Sequence, residues 1–438
     1  MINQIQKKIC IVTPGYISST PRVVKEADAL WQAGYEVRVV FTHGNLPEIR
    51  AFDQNLLSDK LWGWSPVEWG PYGVRGRFLY YKSKLRYHAF RKLPAVFSFI
   101  RGIAEHSEGR VYRELAKSAA SERADLYIGH YPAGLAAAAY AAKHWKTKLG
   151  YDIEDLHTGE FHDTAMAVKQ VERIRMIEKR YLPFCSHVTA VSDLVADEMV
   201  QRYKIPRPLV VHNVFPLSEQ LKTDKQIKDR HDSRLSLYWY SQTIGEGRGI
   251  EDVIKAAGLL REQVQIHLRG GISDETRKKF LTLAENNGVE SDLYFHSPVA
   301  PAELLSRTME HDVGLALEQP ETLSRMLSIT NKFFFYLLAG LSVVATDIPG
   351  QRKIMESCPE AGFLYLPGNY KALAENLRQL IERPELLDRS KKAAFEAALN
   401  RWNWEKESEV LVENISNLIG PQQRFSENVN SFEVIGSK

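Results

Sequence analysis

Units of strand, helix and strand recur on both sides of one polar stretch of this sequence, and that alternation leaves few folds open. Residues 8–13 form a β-branched run that ends at Pro14-Gly15. Apolar residues then recur at helical spacing over 22–33, and 36–41 reads as the next strand. A crossover helix of this kind covers one face of a parallel sheet, with a right-handed connection. The pattern continues with a strand over 125–129, an alanine-rich helix around 135–143, a strand over 148–151, a helix over 165–182 and a strand over 187–191. A helix over 193–202 follows, capped by Ser192. A short strand over 209–211 closes this half, and 216–234 is polar, charged and aperiodic, as a linker between domains should be. Beyond it, strands start at Leu235, Val264, Leu293, Val313 and Ser342, with helices over 251–260, 274–287 and 331–339 and a last one over 404–418.

With 438 residues the chain exceeds what one core of roughly 250–300 residues holds. The expected fold is therefore α/β, with two Rossmann-like doubly wound domains facing across a cleft. The boundaries read as 1–217 for the first domain, 218–234 for the linker and 235–400 for the second. A helix over 401–419 crosses back to the first domain, and 420–438 is a weakly ordered tail. Residues 50–113 break the rhythm and read as an insertion. They hold Trp62, Trp64, Trp69, Phe78, Tyr80 and Tyr81 among Arg75, Arg77, Lys82, Lys84, Arg86, Arg91 and Lys92. Two readings stand for them: rings that pack the first domain beneath solvated cations, or a surface that meets an anionic membrane at headgroup level.

A net charge of +3 gives no support to nucleic-acid binding as a general property. Cys10, Cys185 and Cys358 are odd in number and widely separated, so they make neither a disulfide framework nor a metal-ligand spacing. The start of the chain lacks a signal-peptide pattern, and no run approaches the roughly 20 apolar residues that span a bilayer. The expected location is the cytoplasm, with the inner face of the membrane as its variant.

Ligands of open α/β sheets bind at the carboxyl ends of the strands. Two loops there suit an anion. Ser328-Ile329-Thr330-Asn331-Lys332 precedes an apolar helix and offers backbone N–H groups, hydroxyls and an ammonium. Read structurally, Thr330 or Asn331 is a helix cap and Lys332 a solvated charge. Gly245-Glu246-Gly247-Arg248-Gly249-Ile250 joins a strand to a helix, where the glycines permit close approach of a ligand and Arg248 clamps a phosphate, or the segment is an ordinary turn. Together the two loops favour a nucleoside diphosphate.

These segments resemble the retaining glycosyltransferases of GT-B fold, the group-1 or glycogen-synthase-like superfamily. The resemblance runs through Lys8-Ile9-Cys10-Ile11-Val12, Pro21-Arg22-Val23, the 29–37 segment, the 188–192 and 210–214 segments, Arg248 to Ala256, and His311 to Leu315. Its most specific stretch is 331–346, from Asn331-Lys332-Phe333-Phe334-Phe335-Tyr336 onward, and Trp402-Asn403-Trp404-Glu405 resembles the closing helix. It implies a nucleotide-sugar donor as co-substrate with no further cofactor and no metal, and a glycan or lipid-linked acceptor. The second domain would bind the donor, with Arg248 and Lys332 on the diphosphate and Gly15, Gly247, Glu318, Ser328, Thr330 and Asn331 assisting. The first domain would bind the acceptor, with His130, Asp152 and Glu154 as the reacting-side candidates. For His130 and Asp152 the structural readings are a core histidine and a strand-end turn residue.

Many members of that superfamily carry two glutamates separated by seven residues, and here those positions fall on Leu327 and Phe335. Glu318 or Glu321 is the substitute carboxylate if the loop is reshaped. Two other functions stay open: a sugar-nucleotide epimerase on the same architecture, and a catalytically retired member acting as a binding subunit in a glycan-assembly complex.

Overall fold

The computed structural model describes residues 6–43, 47–70, 73–93, 97, 100, 102–161, 164–223 and 234–422. Residues 224–233 of the expected linker and 423–438 of the expected tail lie outside the described residues. By its internal contacts the chain divides into two compact units. The first comprises Met1–Asp152, Arg173–Val188 and Leu411–Lys438, and the second Ile153–Glu172 and Thr189–Val410.

Two sheets carry the fold. The first runs in the order β3-β2-β1-β4-β5-β6-β7, with β1 Lys8–Val12, β2 Glu36–His43, β3 Gly63–Glu68, β4 Leu126–His130, β5 Lys148–Ile153, β6 Cys185–Ala190 and β7 Leu209–Val210. The second runs β10-β9-β8-β11-β12-β13, with β8 Leu235–Thr243, β9 Val264–Gly271, β10 Leu293–His296, β11 Val313–Ala316, β12 Ser342–Thr346 and β13 Gly362–Tyr365. Every described pairing is parallel. Central strands such as Lys8-Ile9-Cys10-Ile11-Val12 are therefore covered on both faces, which is why they read as apolar runs rather than alternating ones.

The Tyr131–Trp145 helix lies flush on the first sheet because two glycines let it. A Cβ at Gly129 would stand 2.4 Å from the Leu135 backbone, and one at Gly134 would stand 2.5 Å from the Val12 carbonyl oxygen. This seating puts His130, the last residue of β4, directly at the start of that helix. The second sheet's core is built the same way, with Trp239, Ile266, Leu268 and Leu315 from the strands against Ile254 and Phe280 from the helices.

The stretch that breaks the sequence rhythm adds a strand. β3 pairs in parallel with β2 from Arg38 opposite Gly63 to His43 opposite Glu68. Its sequence hides it: Gly63, Ser65 and Pro66 are poor strand formers, and Val67 is its one buried residue. Proline is tolerated there because an edge strand leaves one row of N–H positions unpaired. The aromatic residues of this stretch divide. The Trp62 indole donates to Asp28 at 2.7 Å, and Trp69 stacks on Tyr80 at 6.2 Å with the Arg110 guanidinium against both rings. Trp64, Phe78 and Tyr81 are exposed.

Candidate active site

The second unit brings the donor-side candidates to the carboxyl ends of β8 and β11. β8 leads into the glycine-rich loop and then the Ile250–Leu260 helix, with Gly247 at φ +69° and Gly249 at φ +78°. Gly249 is required twice, by its left-handed backbone and by space. A Cβ there would meet the Gln319 side chain at 2.6 Å and the Leu317 carbonyl oxygen at 2.9 Å. The loop is thus pressed against the segment that follows β11, the segment that carries Glu318. A recess of about 250 Å³ opens beside it, lined by Gly247, Gly249, Asp252, Gln319 and Glu321 among others.

From that segment Glu318 reaches Lys332, with Oε1 3.2 Å from Nζ, and Lys332 also approaches the Thr330 hydroxyl at 3.5 Å. The ammonium stands 5.5 Å from the centre of the Trp239 ring, a further favourable contact for a cation. Burial alone would push the Glu318 carboxyl up. The Lys332 ammonium, the Thr330 hydroxyl and Arg325 together outweigh it and hold the group below its ordinary value. Glu318 is therefore ionised at neutral pH, and the pair presents one cation and one anion at the same helix start.

The two expected anion loops differ electrostatically. The helix after the glycine loop has Glu251 and Asp252 in its first turn, and Glu251 already accepts the Gly247 N–H at 2.9 Å. The Asn331–Ala339 helix has no acid in its first turn, and Thr330 makes no side-chain cap bond to it. The Phe333 N–H donates to the Thr330 carbonyl at 3.0 Å, and the positive end of the helix dipole, where an anion is favoured, lies at this start. Ser328, three residues before, has a buried hydroxyl oxygen with no hydrogen-bond partner among the described residues. Asn331 is exposed, and the Arg248 guanidinium donates to the Ser241 hydroxyl at 3.0 Å. Of the two loops, 328–332 is the one whose helix start carries no acid, while Arg248 in the other is held to Ser241.

Phe335 and Leu327 stand where the superfamily's glutamates fall. Phe335 is buried against Phe215 at 4.7 Å and Tyr240 at 5.3 Å, an apolar setting with no place for a carboxylate. Leu327 ends the short Leu323–Leu327 helix, and its carbonyl accepts from the Ser192 hydroxyl at 2.7 Å. Glu321 pairs with Arg325 and borders the recess at Gly247.

In the first unit His130 and Asp152 stand opposite each other near the ends of neighbouring strands and meet in a wholly buried charge set. His130 Nε2 is 2.6 Å from Glu26, and its Nδ1 is 3.4 Å from Asp152. Asp152 in turn receives a two-bond grip from Arg22, at 2.6 Å from Nε and 2.8 Å from Nη2. One oxygen of Glu26, Oε1, has no hydrogen-bond partner among the described residues. Arg22 and Glu26 were not singled out by sequence. The signal was there, in two opposite charges four residues apart on the helix face that also carries Val23, Ala27 and Leu30. Gly15, in the loop after β1, accepts the Thr42 N–H at 3.1 Å. Glu154, one residue past β5, is half-buried and is assigned to the second unit.

Two family models match the chain, one described as a glycosyl transferase 4-like domain over residues 19–213 and one as glycosyl transferases group 1 over 237–383. No curated protein matches the sequence. Among solved structures, Anabaena Alr3699/HepE in complex with UDP superposes with a TM-score of 0.65 at 15% identity, over 94% of this chain and 100% of that one. Sucrose-phosphate synthase from Thermosynechococcus elongatus gives 0.65 at 15% identity, over 94% and 99%. A putative UDP-N-acetylglucosamine 2-epimerase from Listeria monocytogenes gives 0.56 at 14% identity, over 97% and 99%. At such identities the likeness speaks for the fold, two parallel α/β domains of the GT-B kind.

Proposed function

We propose that this chain, which carries the two domains of a group-1 glycosyltransferase, moves a hexose from a nucleoside diphosphate sugar to a glycan or lipid-linked acceptor with retention of configuration. The observation that supports it most is the start of the Asn331–Ala339 helix, where Thr330 makes no side-chain cap, Lys332 lies 3.5 Å from the Thr330 hydroxyl, and the nearby Ser328 hydroxyl has no hydrogen-bond partner among the described residues. As the bond from the anomeric carbon to the diphosphate breaks, negative charge builds on the leaving oxygens. Lys332, Arg248 and the helix dipole oppose that charge in place of a metal. The acceptor hydroxyl attacks on the face the diphosphate leaves, and its proton passes to the departing diphosphate oxygen.

In this reading residues 1–217 form the acceptor-binding domain and 235–400 the donor-binding domain. His130 and Asp152, fully buried, hold the ends of β4 and β5 in place rather than touching the sugar, and Glu154 is the carboxylate offered toward the acceptor. The setting is surface polysaccharide or glycoconjugate synthesis, on the cytoplasmic side and at the inner face of the membrane.

UDP is the first nucleotide to try, because the similar HepE structures hold UDP and UDP-glucose. Calorimetric titration with UDP, GDP and ADP is expected to give micromolar binding of one of them, lost in the Arg248→Ala, Lys332→Ala double variant. A second reading has its own observation, the apolar burial of Phe335 where a glutamate is usual. Under it the chain is a retired binding subunit, and none of the nucleotides binds.

A further inference from the structure

The Gly73–Lys92 helix turns an apolar stripe to solvent. Val74, Phe78, Tyr81 and Leu85 are 79%, 67%, 66% and 75% exposed. Their spacing of four, three and four residues sets them along one line of the helix, roughly 16 Å long at about 1.5 Å per residue. At about 100° per residue Arg77 and Lys84 fall on one flank of the stripe and Lys82 on the other, with Lys92 at its end. All four cations are exposed, and the helix contains no acidic residue. Lys82 lies 5.5 Å from the centre of the Phe78 ring, its stem along the apolar line and its charge at the edge. The opposite face is anchored. Ser83 is buried, Arg86 grips Glu114 at 2.5 Å, and Arg110 donates to the Tyr80 carbonyl at 2.7 Å.

An apolar ridge of this length costs solubility if it stays in water, and its two basic flanks select what covers it. We propose that this face docks on an anionic lipid bilayer, with the helix in the plane of the interface, its four apolar side chains below the headgroups and its cations among lipid phosphates and carboxylates. A bilayer fits better than an acidic protein for two reasons. The four exposed apolar side chains lie along one line of the helix, and charge of one sign borders them on both sides, as an interfacial helix requires. The docking would bring the enzyme of the previous section to a lipid-borne acceptor. It rests on that reading only for this purpose, since the face is distinct from the nucleotide seat.

The test is flotation of the full chain with phosphatidylcholine vesicles, with and without phosphatidylserine, and with no nucleotide present. Binding is expected to be at least about tenfold stronger on the anionic vesicles and to weaken with added salt. Phe78→Ser with Leu85→Ser, and separately Lys82→Glu with Lys84→Glu, are each expected to lose about tenfold or more of it. Both pairs should keep the wild-type melting temperature and nucleotide titration, because the side chains are exposed. Equal or absent binding to the two vesicle types overturns the proposal, as does retention of binding by both variants. Self-association that the Phe78 and Leu85 pair abolishes, without vesicle binding, also overturns it and assigns the stripe to a second copy. Loss of nucleotide binding with vesicle binding intact would instead count against the glycosyltransferase reading.

Discussion

Lys332→Ala is expected to lower sugar transfer by about 10²- to 10³-fold, the usual cost of removing one preorganised group that meets developing negative charge. The variant also uncovers Glu318, which the lysine now holds ionised at 3.2 Å. Without that ammonium, a carboxylate stands at the seat of a diphosphate and repels it. The loss is then more than one missing contact, and it depends on pH. In the wild type Glu318 lies below its ordinary value, so its own titration adds nothing to the pH dependence of nucleotide affinity above about pH 5, and what remains is the titration of the ligand's terminal phosphate, common to all variants. In Lys332→Ala, burial acts on Glu318 with less opposition, its value rises, and nucleotide affinity should recover as the pH falls toward 5. Adding Glu318→Gln to Lys332→Ala should restore part of the affinity at neutral pH and return the pH profile to that of the wild type. A calorimetric series over pH on the three proteins checks this, and strictly additive effects of the two substitutions would refute the coupling.

Arg22→Met is expected to cost the first unit about 3–5 kcal/mol, the range for removing one partner of a buried ion pair. The substitution keeps most of the volume and leaves Asp152 without its two-bond partner, beside His130 and Glu26 and away from water. The damage is the stranded charge rather than the lost attraction. Arg22→Met with Asp152→Asn should therefore be markedly less destabilised than Arg22→Met alone. Urea unfolding followed at two wavelengths checks this. The double variant should keep nucleotide affinity, because its changes lie in the other unit from Lys332.

Periodicity made most of the fold readable. The central strands are apolar because helices cover both faces, and the helices between them carry the matching 3.6-residue pattern, so both parallel sheets could be read from residue types alone. β3 was hidden for the converse reason. An edge strand with one buried residue and a proline carries almost no pattern, and what defines it is the exposed edge of β2. The segment 328–332 could be picked out as a candidate because hydroxyls, an amide and a lysine ahead of an apolar helix are a local feature. The pairing of Lys332 with Glu318 could not, since the two residues are fourteen positions apart and meet only when β11 and the Asn331–Ala339 helix are in place. Sequence also gave no means of ranking the two loops. That ranking rests on the Gly247 N–H being already taken by Glu251 and on the absence of a cap at Thr330.

His130 and Asp152 show a further limit. A histidine and an aspartate at strand ends look the same in sequence whether they face a ligand or the core, and here both are buried. The information that separates the cases lies on another element, in Arg22 and Glu26, whose charges are placed to receive them.

The most direct test of the central claim is a transfer assay with the nucleotide sugar whose base binds in the titration, labelled in the sugar, and a lipid and glycan extract as acceptor. The account predicts label in the acceptor fraction with stoichiometric release of the nucleoside diphosphate, reduced by about 10²-fold or more in Lys332→Ala. Release of nucleotide without labelled acceptor, or binding with neither release nor transfer, would contradict it, the first in favour of an epimerase or hydrolase and the second in favour of a retired binding subunit.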